Sequence, residues 1–240
     1  TDWTKLRTLN ITHQGGEDEA PSSTMYAFDR SMKLGSDMLE VDVHTSLDGE
    51  LMVIHDATVD RTTNGSGAVR DLTRAQLQLL SASYGRANFA AEIIPTLSEF
   101  LSQLPENMAA GLELKSDDFL SAEICVRLRT LLEETGTLDR VVVLSFSEAR
   151  LAAVRAHAPE IATGLVTLFR LLPSRSGEFV GPLFPVLFAN PLYVLLAHRR
   201  GQLVCPLDPT PEPRLWYYRL LGCDVVLTND PAKTRKALGR

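Results

Sequence analysis

Short apolar runs alternate with longer amphipathic segments along the chain. Eight of these runs are four to seven residues long and rich in branched or other apolar side chains, which is typical of strands. We predict strands at residues 9–12, 38–44, 51–55, 109–115, 141–146, 161–166, 202–207 and 224–228. Strands that alternate with helices favour a parallel sheet, and a chain of 240 residues can close that sheet into a (β/α)8 TIM barrel.

The amphipathic segments between these runs predict the helices. We expect them at residues 22–34, 72–80, 96–104, 119–134, 147–157, 213–221 and 231–238. Ser22 or Ser23 can cap the first helix, and Pro95 followed by Thr96 marks the start of the third. The SLDG turn at residues 46–49 is irregular, because it is too short for a crossover between parallel strands. The direction of the strand at residues 51–55 is therefore left open.

The most apolar stretch, residues 179–197, is about as long as a membrane span. Pro182, Pro185 and Pro191 interrupt it, and because proline breaks a helix we predict a loop followed by a short helix. Two interpretations stay open. Residues 183–196 can pack on the barrel as an ordinary helix, or residues 179–197 can make peripheral contact with a membrane. The second interpretation predicts an apolar lid near the barrel mouth, formed by Phe179, Leu183, Phe184, Leu187 and Phe188.

The composition excludes several classes of function. The net charge is −6 and the basic residues are not clustered, which argues against a nucleic-acid partner. Cys125, Cys205 and Cys223 are far apart and odd in number, so we predict buried thiols rather than a disulfide framework. No linker or repeat divides residues 1–240, which we treat as one domain. The polar start shows no signal peptide, so we expect a cytoplasmic protein, although a removed leader would leave no trace.

Acidic residues interrupt the apolar pattern at residues 39–43. Side chains alternate along a strand, so Glu40, Asp42 and His44 share one face while the apolar side chains between them share the other. The apolar face suits packing against a helix layer. The polar face must therefore point into the barrel, near the strand end where the active sites of this fold collect.

Further candidates fall at other strand ends. Glu113 and Lys115 share one face of a strand, and His13 and His55 each end an apolar run. Carboxylates gathered at one mouth repel each other unless a cation lies among them. Oxygen ligands favour one hard divalent ion, Mg²⁺ or Ca²⁺, and such an ion beside two imidazoles suits phosphoryl chemistry.

Several motifs resemble the glycerophosphodiester phosphodiesterase family. They are HQGGEDEAPSST, LEVDVHTSLDGELMVIHDATVDRTTNGSGAVRDLT, LELK, the SF pair at residues 145–146 and LTNDP. The resemblance is densest between His13 and Thr73. It implies a TIM barrel that hydrolyses glycerophosphodiesters to an alcohol and a glycerol phosphate, with a route through a cyclic phosphate where the substrate has a neighbouring hydroxyl.

The resemblance implies a site of three parts. Its residues are the metal ligands Glu40, Asp42 and Glu113, the acid–base pair His13 and His55, and Lys115 on the substrate side. Gln14, Glu19 and His44 are further candidates for the substrate side. Lys115 would contact the substrate or its phosphate. Glu19 either orients a catalytic histidine or is a surface acid, and His44 is expected at the rim rather than on the metal.

The sequence departs from the family pattern in ways that bear on the substrate. Gln14 stands where the family usually has arginine, so a guanidinium that would pair with phosphate is missing. SST at residues 22–24 replaces the usual Glu-Asn-Thr, and VCPLD at residues 204–208 replaces a run that often contains tryptophan. An aromatic wall is thereby lost. Together with the apolar stretch, these changes favour a substrate that carries an acyl chain or another apolar group.

Three functions fit these observations. The first is hydrolysis of glycerophosphodiesters. The second is a lysophospholipase D-like reaction, in which the same residues act on lysophospholipids. The third is a non-catalytic barrel that binds lipid or phosphate, but His13 and His55 argue against it because a binding protein needs no proton shuttle. The head group, the choice of metal ion and the oligomeric state are left open.

Overall fold

The structure of the protein is a computed structural model that describes residues 8–16 and 20–240. Nine strands build its sheet. The strands are β1 (Leu9–Thr12), β2 (Met38–Thr45), β3 (Leu51–Val53), β4 (Ala109–Leu114), β5 (Val141–Ser145), β6 (Ala162–Thr167), β7 (Phe179–Pro182), β8 (Leu203–Val204) and β9 (Val225–Thr228). Eight of them are parallel, in the order β8-β7-β6-β5-β4-β2-β1-β9. The backbone N–H of Asp224 donates to the Val204 carbonyl over 3.1 Å between the two ends of this series. The barrel is thus nearly closed, and the predicted TIM barrel is confirmed.

The strand predicted at residues 51–55 does not belong to the barrel wall. β3 pairs antiparallel with the end of β2, with Val43 opposite Val53 and Thr45 opposite Leu51. The SLDG turn therefore makes a hairpin, which is the connection that so short a loop allows. The predicted number of eight barrel strands is right, but the prediction that residues 51–55 form one of them is wrong.

The missing wall strand is β7, which lies inside the apolar stretch. The sequence does not indicate it, because four residues that include Gly181 and Pro182 have low strand propensity. β6 makes room for it at Gly164. A Cβ atom there would lie 2.7 Å from the Cβ of Phe179, so a larger residue would push the two strands apart.

Nine helices are described, and most of them cover the outside of the barrel. They are α1 (Met25–Lys33), α2 (Arg74–Leu77), α3 (Leu97–Gln103), α4 (Ala122–Glu134), α5 (Glu148–His157), α6 (Pro185–Ala189), α7 (Tyr193–His198), α8 (Leu215–Leu221) and α9 (Pro231–Ala237). Thr96 caps α3 in a capping box with Glu99, as predicted. Thr24, rather than Ser22 or Ser23, caps α1, because the backbone of Ser23 takes a positive φ of 59°.

The largest apolar core lies between the barrel wall and the outer helices on the side of β2, β4 and β5. Leu39, Val41 and Val43 are fully buried in it, on the face of β2 that the sequence assigns to packing. A smaller cluster inside the barrel contains Ile11, Met38 and Leu227. Cys125 and Cys223 are buried and Cys205 is half-buried, and all three thiols are free.

Two connections at the barrel mouth are longer than a simple barrel needs. Residues 54–96 leave the β2–β3 hairpin and pack around a small core of their own that includes Ile54, Val59 and Leu77. Residues 168–178 join β6 to β7 without a helix. After β7, Leu187 is buried while Phe188 is exposed, so the apolar stretch divides between core and surface. No helix in the described ranges has both the length and the hydropathy needed to cross a membrane.

Candidate active site

Three carboxylates meet at the carboxyl ends of β2 and β4. Asp42 on β2 lies opposite Glu113 on β4 in the parallel register, and Glu40 lies opposite Gly111, which has no side chain to fill the space. One carboxylate oxygen from each of Glu40, Asp42 and Glu113 lies within 4.8 Å of the others. The alternation of side chains along β2 and β4 therefore does bring these three acids together.

Several oxygens of this cluster are buried without a hydrogen-bond donor. Within the described part of the chain, Oε1 of Glu40 and Oδ2 of Asp42 have no hydrogen-bond donor, and Oδ1 of Asp42 has only the ammonium of Lys115, 3.1 Å away. Burial raises the pKa of Glu40 well above its ordinary value, and the charges of Asp42 and Glu113 raise it further. The pKa of Glu113 is also raised, first by burial. The cluster is therefore short of positive charge.

Lys115 supplies part of that charge. Its Nζ lies 2.6 Å from Oε1 of Glu113 and 3.1 Å from Oδ1 of Asp42. Burial lowers the pKa of Lys115, but the charges of Asp42 and Glu113 outweigh burial and leave the pKa above its ordinary value. Lys115 is thus a cation, and one cation does not balance three acids.

The residues present fit a metal ion. Carboxylate oxygens are the ligands that hard divalent cations prefer, and unpartnered buried carboxylates are costly unless a cation joins them. Glu40 and Asp42 both have such unpartnered oxygens. Glu40, Asp42 and Glu113 can therefore hold one divalent cation, as the sequence predicts.

His13 lies beside the cluster, on the short helical turn that follows β1. It lines the same cavity as Glu40 and Glu113. The backbone N–H of Gln14 donates to Oε2 of Glu40 over 3.1 Å, which ties this turn to the carboxylates. Nδ1 of His13 lies 2.9 Å from Oδ1 of Asn229, so we assign its proton to Nδ1. Nε2 is then the nitrogen that can accept a proton.

His55 follows β3 and is oriented by a carboxylate. Its Nδ1 lies 2.7 Å from Oδ1 of Asp56, which also accepts two hydrogen bonds from Arg61. The bonds from Arg61 lower the pKa of Asp56 to about 2 despite partial burial. An ionised Asp56 accepts a hydrogen bond from the Nδ1–H group of His55, which leaves Nε2 for proton transfer. The backbone N–H of Ile54 donates to the carbonyl oxygen of Asp42 over 3.1 Å, which holds the segment that leads to His55 beside the cluster.

The other predicted substrate-side residues have different surroundings. His44 is buried, and its Nε2 lies 3.2 Å from the carbonyl oxygen of His55. Burial lowers the pKa of His44, so this imidazole is neutral and supports the backbone of His55. Gln14 is buried, with its amide 3.2 Å from Nε2 of His13. Glu19 lies outside the described residues.

Sequence reasoning assigns no chemistry to two residues that orient the histidines. Asn229 is 216 residues from His13, and the LTNDP motif at the end of β9 is the signal that could have found it. Asp56 adjoins His55, and a carboxylate next to a strand-end histidine is a signal of the same kind. Both are hydrogen-bond partners of Nδ1 rather than groups in the cluster itself.

The sequence profile described as the glycerophosphoryl diester phosphodiesterase family matches residues 13–233. The chain belongs to this family. The family places the protein among the phosphoric diester hydrolases, and its match spans every residue of the site described above.

Two curated members of the family illustrate the similarity. A glycerophosphodiester phosphodiesterase of Caldanaerobacter subterraneus subsp. tengcongensis is 39% identical over 164 residues, which are 67% of this chain and 67% of the relative. A glycerophosphodiester phosphodiesterase of Bacillus altitudinis is 28% identical over 238 residues, which cover 94% of this chain and 96% of the relative.

Solved structures of the family share the fold. A glycerophosphodiester phosphodiesterase from Agrobacterium tumefaciens superimposes with a TM-score of 0.81 at 25% identity, covering 94% of this chain and 98% of that one. A phosphodiesterase from Oleispira antarctica, solved in complex with the product sn-glycerol-3-phosphate, gives a TM-score of 0.86 at 24% identity and covers 97% of each chain. At 24% identity, the likeness to the Oleispira antarctica structure concerns the fold alone.

Proposed function

We propose that this protein is a metal-dependent phosphodiesterase that hydrolyses glycerophosphodiesters to an alcohol and glycerol phosphate. One observation carries the proposal. A buried cluster of three acids has oxygens without donors, and the two histidines that follow β1 and β3, His13 and His55, each have Nδ1 already held by a protein oxygen. That arrangement suits one cation and two proton-transfer groups, which is what phosphodiester hydrolysis needs. The family membership points to the same reaction.

Glu40, Asp42 and Glu113 would hold the cation, Mg²⁺ or Ca²⁺. Bound there, the ion supplies positive charge that stabilises the charge that develops on the phosphoryl oxygens. Lys115 brings a second positive charge to the same cluster and is the proposed contact for the substrate phosphate.

His13 and His55 would move the protons. Asp56 carries a negative charge beside Nδ1 of His55 and so stabilises the imidazolium form of that ring. Asn229 offers His13 only a neutral amide oxygen. We therefore assign His55 as the acid that protonates the leaving alcohol oxygen through Nε2. His13 is then the base that takes the proton of the attacking hydroxyl or water through its own Nε2.

Metal-dependent release of choline from glycerophosphocholine tests the proposal. We expect chelation to abolish turnover, Mg²⁺ or Ca²⁺ to restore it, and His55→Ala to lower kcat by about 10²–10⁴-fold. Glu113→Gln should weaken activation by the metal, whereas Glu50→Gln, which removes a half-buried ion-pair partner of Arg127, should not. A wild-type protein that hydrolyses none of a panel of glycerophosphodiesters with either metal would overturn the proposal. Loss of turnover in His55→Ala with substrate binding retained would exclude a purely binding role.

A second candidate function, the cleavage of lysophospholipids, is favoured by an exposed apolar surface beside the barrel mouth. We call this surface the apolar rim, and it consists of Leu168, Phe169, Leu171, Leu172, Phe188, Leu192 and Trp216. Soluble proteins rarely expose so many neighbouring large apolar side chains, so this surface marks a contact with another molecule or with a lipid.

The members of the apolar rim adjoin each other at the carboxyl ends of β6, β7 and β8. The side-chain amide of Asn190 donates to the carbonyl oxygen of Leu171, which joins the loop after β6 to the end of α6. The ring of Phe188 stacks on Tyr217 with centroids 4.5 Å apart, and Tyr217 adjoins Trp216 at the start of α8. These contacts bring the loop after β6, the end of α6 and the start of α8 together on the side of the mouth across from β2.

One arginine, Arg170, lies within the apolar rim next to Phe169, and it pairs with Glu148. Arg200 lies away from the rim, after the end of α7, where it donates to the carbonyl oxygens of Pro173 and Ser174. Basic residues next to an apolar surface bind anionic lipid head groups. The proposed membrane contact therefore involves the loop after β6 as well as part of residues 179–197, since Leu187 and Tyr193 of that stretch are buried.

Two measurements separate this candidate from the first. We expect a lysophospholipid enzyme to release choline from lysophosphatidylcholine faster than from glycerophosphocholine. It should also sediment with vesicles that contain phosphatidylglycerol, and Phe169→Ser with Leu172→Ser should reduce that sedimentation. Leu79→Ser is the matched control, because Leu79 is 83% exposed on the other side of the mouth and Phe169 is 84% exposed. The lipid enzyme would be excluded if the Phe169→Ser, Leu172→Ser double variant sedimented with vesicles as much as the wild type and the Leu79→Ser control do. It would also be excluded if the protein hydrolysed glycerophosphocholine but no lysophosphatidylcholine.

A further inference from the structure

A line of side-chain hydrogen bonds leads from Tyr84 to His13. The hydroxyl of Tyr84 lies 2.8 Å from Oγ of Ser22, which donates to Oε1 of Gln14 over 3.3 Å. Nε2 of Gln14 lies 3.2 Å from Nε2 of His13. We call Tyr84, Ser22 and Gln14 the polar bridge. It crosses from the connection at residues 54–96 to the turn that carries the catalytic base.

The hydrogen bonds of the polar bridge can all point in one direction. Because Asn229 offers an oxygen, Nδ1 of His13 keeps its proton and Nε2 accepts from the amide of Gln14. Ser22 donates to Oε1 of the same amide, so its oxygen is left to accept from the hydroxyl of Tyr84. Each group is then donor to one neighbour and acceptor from the other, which fixes both the ring orientation and the tautomer of His13.

The other side of Tyr84 faces the second histidine. The guanidinium of Arg61 lies over the ring of Tyr84, 5.6 Å from its centroid. Arg61 also binds both oxygens of Asp56, and Asp56 accepts from Nδ1 of His55. Tyr84 therefore contacts, by its hydroxyl and by its ring, the supports of both histidines.

Backbone strain is concentrated at the polar bridge. Among residues 8–16 and 20–240, three residues other than glycine have a positive φ, and they are Gln14 at 52°, Ser23 at 59° and Tyr84 at 53°. Two belong to the bridge and the third adjoins Ser22. Such conformations cost free energy and persist where the surrounding structure holds them, often at sites that need a fixed geometry.

We propose that Tyr84 is a positioning residue that sets the orientation of His13 relative to His55 through the polar bridge. This inference rests on the proposed function, because it concerns the same two histidines. It also gives Gln14 a role in place of the phosphate contact expected from an arginine at that position. In the resting protein the amide of Gln14 occupies the single lone pair of Nε2, so it holds the imidazole ring in place and must move away from Nε2 when His13 accepts a proton.

Kinetics of Tyr84→Phe test the inference, because this substitution removes only the hydroxyl. We expect kcat to fall about 10-fold with KM nearly unchanged, since a displaced base slows the chemical step more than binding. Ser22→Ala should have the same effect, Ser22→Thr should restore the hydroxyl and most of the activity, and the double variant Tyr84→Phe with Ser22→Ala should be no slower than either single one.

A matched control lies in the same interface. Phe89 packs edge-on against Tyr26 with centroids 5.1 Å apart, so it joins residues 54–96 to α1 through a contact that is not part of the polar bridge. Phe89→Leu should lower thermal stability but leave kcat within about 2-fold of the wild type. An equal fall of kcat in Phe89→Leu and Tyr84→Phe would overturn the inference, as would a wild-type kcat in Tyr84→Phe.

A spectroscopic measurement separates this inference from the proposed function. Long-range ¹H–¹⁵N spectra of the Mg²⁺-loaded protein should show His13 with its proton on Nδ1, where Asn229 holds it, and Tyr84→Phe should shift the Nε2 resonance because the amide of Gln14 is no longer fixed against that nitrogen. That change would support the polar bridge even if the wild type hydrolysed no glycerophosphodiester. An unchanged Nε2 resonance in Tyr84→Phe would overturn the inference even in a protein that is fully active.

Discussion

Lys115 reaches into the carboxylate cluster, with Nζ 2.6 Å from Oε1 of Glu113. Its side chain is 18% exposed, so the pair is partly shielded from water. In the metal-free protein this ammonium is the positive charge nearest to Glu113 and Asp42. The same cluster therefore has two sources of positive charge, the lysine and the proposed metal ion, and they act together on stability.

Replacing Lys115 by methionine should destabilise the metal-free protein. Removing one partner of a buried ion pair leaves an uncompensated charge, and we expect a loss of about 3 kcal/mol in the free energy of unfolding by urea. Saturating Mg²⁺ or Ca²⁺ should recover most of this loss, because the cation supplies the carboxylate cluster with positive charge in place of the missing lysine. Lys33→Met removes an exposed pair with Asp29 and should cost less than about 0.5 kcal/mol. An unchanged stability in Lys115→Met would show that the acids do not depend on the lysine.

The raised pKa of Glu40 predicts how the metal-free protein responds to pH. Burial raises the pKa of Glu40 in the folded state above its ordinary value of 4.5, so the folded protein binds this proton more tightly than the unfolded chain does. The resulting stabilisation is complete below pH 4.5 and is lost as the pH rises through the raised pKa. We expect the difference in melting temperature between wild type and Glu40→Gln, measured in chelator, to shift against the wild type from pH 5 to pH 8. A difference that is constant with pH would contradict this prediction.

Asp56→Asn should slow catalysis without preventing folding. The amide cannot stabilise the imidazolium of His55 as a carboxylate does, and the loss of a group that orients a catalytic histidine typically costs about 10–100-fold in kcat. Because the pKa of Asp56 is about 2, the carboxylate is ionised throughout the neutral range, and kcat of the variant should be lower than that of the wild type at every pH from 5 to 8. Asp60→Asn, in the same loop, is the control, since Asp60 accepts a hydrogen bond from the backbone N–H of Gly67 rather than from a histidine. Equal kcat values for Asp56→Asn and wild type would remove Asp56 from the mechanism.

Local patterns were enough to predict the acid cluster. Alternation along a strand placed Glu40 and Asp42 on the inner face, and the same rule placed Glu113 and Lys115 beside them. These predictions succeeded because the spacing of side chains along a strand is fixed by backbone geometry. The general fold followed in the same way from alternating strands and helices.

Long-range partners and short strands were not predictable from local patterns. Asn229 supports His13 although the two residues are 216 positions apart in the sequence. The local pattern of apolar and polar residues cannot predict a contact between such distant positions. Ser22 was expected to cap a helix but instead bonds to Tyr84, 62 residues away. β7 was missed because glycine and proline make up half of it. In each case the outcome depends on which segments the barrel brings together, and that is decided by the whole fold.

Asp208 lies in the segment where the family often has a tryptophan, and its contacts predict a structural role. It accepts two hydrogen bonds from Arg214, at 2.6 and 2.7 Å, and a third from the hydroxyl of Tyr218. Arg214 in turn lies over the ring of Phe184, 4.4 Å from its centroid. The carboxylate thus joins the loop after β8 to α8 and to the segment before α6.

Asp208→Ala would leave Arg214 without its carboxylate and Tyr218 without its acceptor. We expect a loss of about 3 kcal/mol in the free energy of unfolding, whereas Asp139→Ala on the exposed surface should change it by less than about 0.5 kcal/mol. Adding Arg214→Met should recover part of the loss, because the unpaired charge is then gone. Below its melting temperature Asp208→Ala should keep kcat within about 3-fold of the wild type. A larger fall in kcat with unchanged stability would instead place Asp208 among the groups that contact the substrate.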